Sequence, residues 1–180
     1  EMQKAVVLMP TYNERANIEV IVPEIFSTVP DIFILVIDDN SPDGTADAVR
    51  TLAKKYPNLS LLPRPKKEGL GKAYKDGIRH VLSDTAVDRV VFMDADGSHG
   101  VEYLPTLLQK SNEYDLVIGS RYIPGGAIEE WERWRYALSR YGNLYARVLT
   151  GLPVKDITAG FYCIRRSVLE RMDLSHLEAS

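Results

Sequence analysis

Short runs of uninterrupted apolar residues alternate along the chain with stretches whose apolar positions recur at helical spacing. Residues 5–9, 33–37 and 90–93 are apolar throughout rather than alternating with polar ones. A strand that is apolar on both faces has to be covered on both, as in a parallel sheet. The pattern predicts strands at 5–9, 33–38, 59–62, 89–94, 116–119 and 160–164. Helical spacing predicts helices at 16–28, 45–55, 72–82, 102–112 and 133–149, with Ala46, Val49, Leu52 and Ala53 sharing one face of the second. Pro23 breaks the amide ladder of the first and argues against its continuity. Strands and helices in this order predict an α/β domain, Rossmann-like, whose ligands bind at the carboxyl ends of the strands.

Composition narrows the chemistry. The 180 residues suffice for one domain, and a net charge of -3 gives no electrostatic reason to expect nucleic acid as partner. Cys163 is the only cysteine, which excludes an intramolecular disulfide and a zinc site built on several thiolates. His80, His99 and His176 lack metal-ligand spacing. No apolar run approaches the roughly 20 residues that cross a bilayer, and no signal-peptide pattern opens the chain, so a cytoplasmic location is the default expectation.

The strand ends carry the candidate chemistry. The first strand runs into Pro10-Thr11-Tyr12-Asn13-Glu14. There Tyr12 could stack on a base and Glu14 could accept from a base or ribose, or simply serve a helix dipole. The second ends in Asp38-Asp39, adjacent acids that point to opposite sides. One can orient a base or ribose while the other caps the loop, and Ser41-Pro42-Asp43-Gly44 reads as a turn into the next helix. The fourth ends in Asp94-Ala95-Asp96, where residues two apart on an extended strand would face one cation together. Oxygen ligands of this kind suit Mg²⁺ or Mn²⁺ bridged to substrate phosphates. Arg121, after the fifth strand, could clamp a diphosphate, with Pro124-Gly125-Gly126 as a closing loop.

Phosphate-loop readings fail on spacing. A Walker loop ending at Gly71-Lys72 needs glycine where Lys66 stands, and a dinucleotide fingerprint from Gly69 needs it at Tyr74. Gly69 and Gly71 then read as a tight loop with Lys72 opening the next helix; Arg64, Lys66, Lys67 and Lys72 could attract phosphates, but a solvated basic loop is the expected reading.

In combination, these blocks resemble the dolichol-phosphate mannose synthase family, inverting glycosyltransferases with the GT-A fold. The matching residues are 10–14, 38–44, 69–74, 93–96, 119–122 and 156–161, in the family's order. The resemblance implies GDP-mannose as donor, a dolichyl or polyprenyl phosphate as acceptor, and Mg²⁺ or Mn²⁺ as cofactor. It places nucleotide-sugar contacts on Pro10, Tyr12, Glu14, Ile37, Asp39, Asp94, Ala95, Asp96 and Arg121, with Asp94, Asp96 and Arg121 as the catalytic set. Metal ligation falls on Asp94, Asp96 and Ser98, and acceptor-phosphate binding on Arg135 and Ser139. It further implies one catalytic domain with a nucleotide-sugar half over 1–100 and an acceptor half over 101–180, cut short at its C-terminus. Gly97, Gly100 and Tyr162 depart from the family pattern.

Between residues 131 and 150, Arg133, Arg135, Arg140 and Arg147 against Glu132 alone give 4 − 1 = +3, interleaved with Trp131, Trp134, Tyr136, Tyr141 and Tyr145. Arginines with aromatics suit the headgroup region of an anionic membrane, so peripheral attachment to the cytoplasmic face is expected, against the alternative of an ordinary basic helix face. Rival readings are the same fold with UDP-glucose or another UDP-sugar, a saccharide acceptor, a nucleotidyltransferase, and a nucleotide-binding scaffold without turnover.

Overall fold

The structure is a computed structural model, and it describes residues 4–119, 161–172 and 174. Strands β1 (Lys4–Thr11), β2 (Phe33–Asp38), β3 (Leu59–Pro63), β4 (Val87–Phe92), β5 (Leu116–Gly119) and β6 (Phe161–Arg165) form one sheet in the order β3-β2-β1-β4-β6-β5. Strands β1 to β4 run parallel, and β6 lies antiparallel between β4 and β5. The helices are α1 (Arg15–Thr28), α2 (Thr45–Ala53), α3 (Leu70–Leu82), α4 (Leu104–Lys110) and a short α5 (Arg166–Leu169).

The apolar runs are buried on both faces, as their lack of alternation predicts. Val7, Met9, Ile34, Val36, Val91 and Met93 pack on one side with α1, α2 and α4, whereas Val6, Leu8, Leu35, Ile37, Val90 and Phe92 pack on the other with α3. On α1 the buried residues Ile18, Ile21, Val22, Ile25 and Phe26 form one stripe. Fully burying each such side chain contributes about 1.5–3 kcal/mol. Pro23 does not interrupt α1, because that stripe anchors the helix on both sides of it. On α3, a Cβ added to Gly77 would stand 2.4 Å from Ile37 Cδ1, so glycine lets this helix lie close on the sheet.

Several boundaries differ from expectation by a residue or two at either end, and those nearest the strand ends matter most. Strand β4 stops at Phe92, and after Met93 the chain turns through Ala95-Asp96 to reach Gly97 at φ +71, a left-handed backbone suited to a turn. Helix α3 starts at Leu70 rather than 72, its N-cap Gly69 being at φ +102. Residues Val101–Tyr103 form a 3-10 turn before α4. The predicted helix at 133–149 and the basic, aromatic stretch 131–150 lie outside the described residues.

Candidate active site

Successive crossovers step from β1 to β2 to β3, and the chain then returns to the opposite side of β1 to form β4. That reversal opens a crevice beyond the carboxyl ends of β1 and β4, the place where open α/β sheets bind ligands. Tyr12-Asn13-Glu14 leaves one wall and Asp94-Ala95-Asp96 the other.

The β1 wall is held by the loop after β2. The backbone amides of Asn13, Glu14 and Arg15 donate to Ser41 Oγ (2.9 Å), Thr45 Oγ1 (3.1 Å) and Asp43 Oδ2 (3.1 Å). Asn13 has φ +59 and Asn40 φ +58, left-handed positions that asparagine tolerates. Asp38 accepts from the Thr11 hydroxyl at 3.0 Å and from the Ser41 amide and hydroxyl at 3.0 and 2.6 Å. It is the loop-capping member of the acidic pair. Asp43 does more than shape a turn: it accepts from Arg15 and from both the amide and hydroxyl of Thr45, tying α1 to α2.

Asp39 has a different environment. Its Oδ1 lies 2.6 Å from Arg64 Nη1, with the two side chains only 8% and 4% exposed. Arg64 also donates to Asp76 at 2.9 Å and approaches Glu68 at 3.4 Å. Arg64 is therefore not part of a solvated basic segment: it is the centre of three carboxylates brought in from the residue after β2, its own loop and α3. Burial works against its charge, but the bonds to Asp39 and Asp76 outweigh that and raise its pKa. Lys66 and Lys72 pair with Glu68, and Lys67 stands over the Tyr12 ring at 4.0 Å. The 64–68 loop thus lies over both Tyr12 and Asp39.

At the other wall, Asp94 Oδ2 lies 3.3 Å from His99 Nε2, and the buried His99 ring stacks on Phe161. Asp96 is exposed, and its Oδ1 accepts from the Ser98 amide at 2.9 Å. The turn, rather than an extended strand, sets how the two carboxylates are presented. Among the described residues, no three His, Cys, Asp or Glu side chains gather as a metal cage. Two carboxylates and a hydroxyl still fit Mg²⁺ or Mn²⁺, which are commonly held by one or two protein carboxylates with phosphate and water completing the shell. Ser98 Oγ is buried without a hydrogen-bond partner, an oxygen left over at this tip.

Of the other predicted residues, Tyr12 is 38% exposed and can offer a ring face, while Glu14 accepts from Asn17 at 2.6 Å. Pro10 is half-buried at the end of β1, opposite Ile37. Ile37 is fully buried and Ala95 nearly so, which leaves only their backbone to meet a ligand. Arg121, Arg135 and Ser139 lie outside the described residues. Sequence reasoning missed Arg64 as a buried hub and gave no role to His99, Tyr74 or Tyr162 at the acidic tip. A basic run reads alike whether solvated or buried, and the carboxylates that bury Arg64 are 12 and 25 residues away.

The profile of glycosyl transferase family 2 matches residues 6–173. The chain is 44% identical over 179 residues to a polyprenol monophosphomannose synthase of Mycolicibacterium smegmatis, covering 98% of this chain and 67% of that protein. It is 42% identical over 176 residues to an undecaprenyl-phosphate mannosyltransferase of Micrococcus luteus, covering 98% and 72%. Among solved structures, glucosyl-3-phosphoglycerate synthase of Mycobacterium tuberculosis, in complex with Mn²⁺, UDP and glucosyl-3-phosphoglycerate, aligns with a TM-score of 0.55. That alignment has 22% identity and covers 92% of this chain and 57% of the other. The chain thus spans about two thirds of its curated relatives' length and less of this structural neighbour. With its acidic strand ends gathered at the switch point of a mostly parallel sheet, the chain belongs to glycosyl transferase family 2, has the GT-A fold, and groups with the dolichol-phosphate mannose synthases its motifs resemble.

Proposed function

We propose that this chain is the catalytic part of an inverting glycosyltransferase that moves mannose from GDP-mannose to a dolichyl or polyprenyl phosphate. The observation that carries the reading is the Asp94–Asp96 tip at the switch point, with the unpartnered Ser98 hydroxyl beside it. Mannose and a polyprenyl phosphate are supported by the names of the two relatives above 40% identity. Asp94, Asp96 and Ser98 would hold Mg²⁺ or Mn²⁺, which would supply charge stabilisation for the departing diphosphate.

The remaining work falls to the chain's own groups. Tyr12 offers a face for the base, and Asp39, kept in place by Arg64, offers acceptor oxygens to the donor edge of guanine. Glu14 sits at the start of α1 beside them. Arg121 is assigned to the diphosphate and Arg135 with Ser139 to the acceptor phosphate, on their match to the family motifs. A phosphate monoester has a second pKa near 6, so the acceptor arrives largely as an anionic nucleophile and needs no strong general base. A single displacement inverts the anomeric centre and gives a β-linked product. In this reading residues 1–100 bind the nucleotide-sugar and 101–180 serve the acceptor, with 131–150 resting peripherally on the cytoplasmic face of a membrane.

The test is transfer of labelled mannose from GDP-mannose into polyprenyl phosphate. Asp96→Ala should lower turnover by roughly 10²–10³-fold, the loss expected when one stabiliser of developing charge is removed. Because Asp96 is exposed, melting should hardly move. Near-normal turnover in Asp96→Ala, or label accepted only from UDP-glucose, overturns the proposal.

A further inference from the structure

Among the described residues, three buried side-chain polar atoms have no hydrogen-bond partner: the hydroxyls of Tyr74, Ser98 and Tyr162. Native interiors rarely leave such groups unpaired, and all three adjoin the acidic tip. Ser98 is bonded to Asp96 through its amide. Tyr74 and Tyr162 belong to the sheet face that carries Phe92, and alternation past Phe92 returns Asp94 to that same face, while Met93 and Ala95 join the opposite core.

The two tyrosines arrive from separate elements. Tyr74 comes from α3 and is 1% exposed; Tyr162 comes from β6, pairs with Phe92 across the antiparallel ladder, and is 6% exposed. Their rings pack against Phe92, with centroids at 5.1 Å for Tyr74 and 4.6 Å for Tyr162. Phe92 thereby fixes both rings beside the strand end that leads to Asp94. Asp94 is the charged group that acts on both buried phenols, and a phenol is a hydrogen-bond donor at neutral pH.

We propose that Tyr74 and Tyr162 are positioning residues for Asp94, their two buried hydroxyls being donors that fix its carboxylate at the floor of the acidic tip. The pair complements His99, which meets Asp94 Oδ2. Carboxylates that ligate metals are themselves oriented by such outer partners. The inference rests on the tip being a divalent-cation site.

Tyr74→Phe, Tyr162→Phe and the double variant separate this role from packing, since phenylalanine keeps the rings and removes only the hydroxyls. The readout is Mn²⁺ binding in the presence of GDP, followed by the electron paramagnetic resonance signal of free Mn²⁺, together with thermal melting. The double variant should bind Mn²⁺ about 10–100-fold more weakly, as loss of outer-shell partners does elsewhere. Melting without the ion should change little, because phenylalanine keeps both rings packed against Phe92. Mn²⁺ binding within twofold of wild type in the double variant overturns the proposal, as does a fall in melting temperature with unchanged binding. Wild-type protein that takes up no Mn²⁺ with GDP overturns the cation site and the positioning role together; unaffected variants of a protein that does bind it overturn only the latter.

Discussion

Arg64→Met tests whether the buried ion cluster holds the base-binding side of the site together. Methionine fills much of the space but strands the carboxylates Arg64 satisfies. Asp76 keeps 44% of its side chain in water and Glu68 28%, so both can be resolvated. Asp39 is 8% exposed and cannot. Removing one partner of a buried pair costs about 3–5 kcal/mol, because an uncompensated charge remains, and nearly all of it here falls on Asp39. For a protein of this size that corresponds to a fall in melting temperature of roughly 6–20 °C. Urea unfolding at neutral pH, with linear extrapolation, measures the loss directly. Arg64→Met/Asp39→Asn removes the stranded charge as well, so the double variant should recover at least half of the loss and give a favourable coupling energy. A loss below about 1 kcal/mol in Arg64→Met would refute the reasoning, as would additivity of the two changes, since either would mean the pair is solvated after all.

Two further outcomes follow from the described residues. Burial works to raise the Asp43 carboxyl, but hydrogen bonds from the Thr45 hydroxyl and from the Arg15 and Thr45 amides outweigh it, leaving its pKa below the ordinary 3.8. A depressed folded-state pKa gives stability that is present above the unfolded value and lost as pH falls through the folded one. Asp43→Asn should therefore melt lower than wild type at pH 7, with the gap narrowing as pH falls below the ordinary 3.8 and through the lowered folded-state value; a gap that does not narrow on acidification would contradict the capping role. Burial pushes the Cys163 thiol up to about 11, so native protein should react with iodoacetamide at neutral pH far more slowly than urea-unfolded protein, as mass spectrometry of the alkylated cysteine can show.

The elements set by local pattern were legible in the sequence. Strands β1, β2 and β5 and helix α1 lie where unbroken apolar runs and one helical stripe predict them. The end of β4 was less legible, because Met93 continues the apolar run and still donates to Leu8 in β1 after the strand has ended. Only the left-handed Gly97 makes the turn that follows plain. The acidic strand ends were legible for the same reason: a carboxylate directly after a buried strand is conspicuous wherever it occurs. Arg64 and the two tyrosines were not. Their roles depend on partners that sequence separation hides: Asp39 and Asp76 for the arginine, and Asp94 with Phe92 for Tyr74 on α3 and Tyr162 on β6.

A calorimetric titration of GDP-mannose into the chain, with Mn²⁺ and again after chelation, bears most directly on the acidic tip. The account predicts binding at least about tenfold tighter with the cation, or roughly 1.4 kcal/mol, and loss of that difference in Asp96→Asn. Equal affinity in chelator, or an undiminished Mn²⁺ effect in Asp96→Asn, would contradict it.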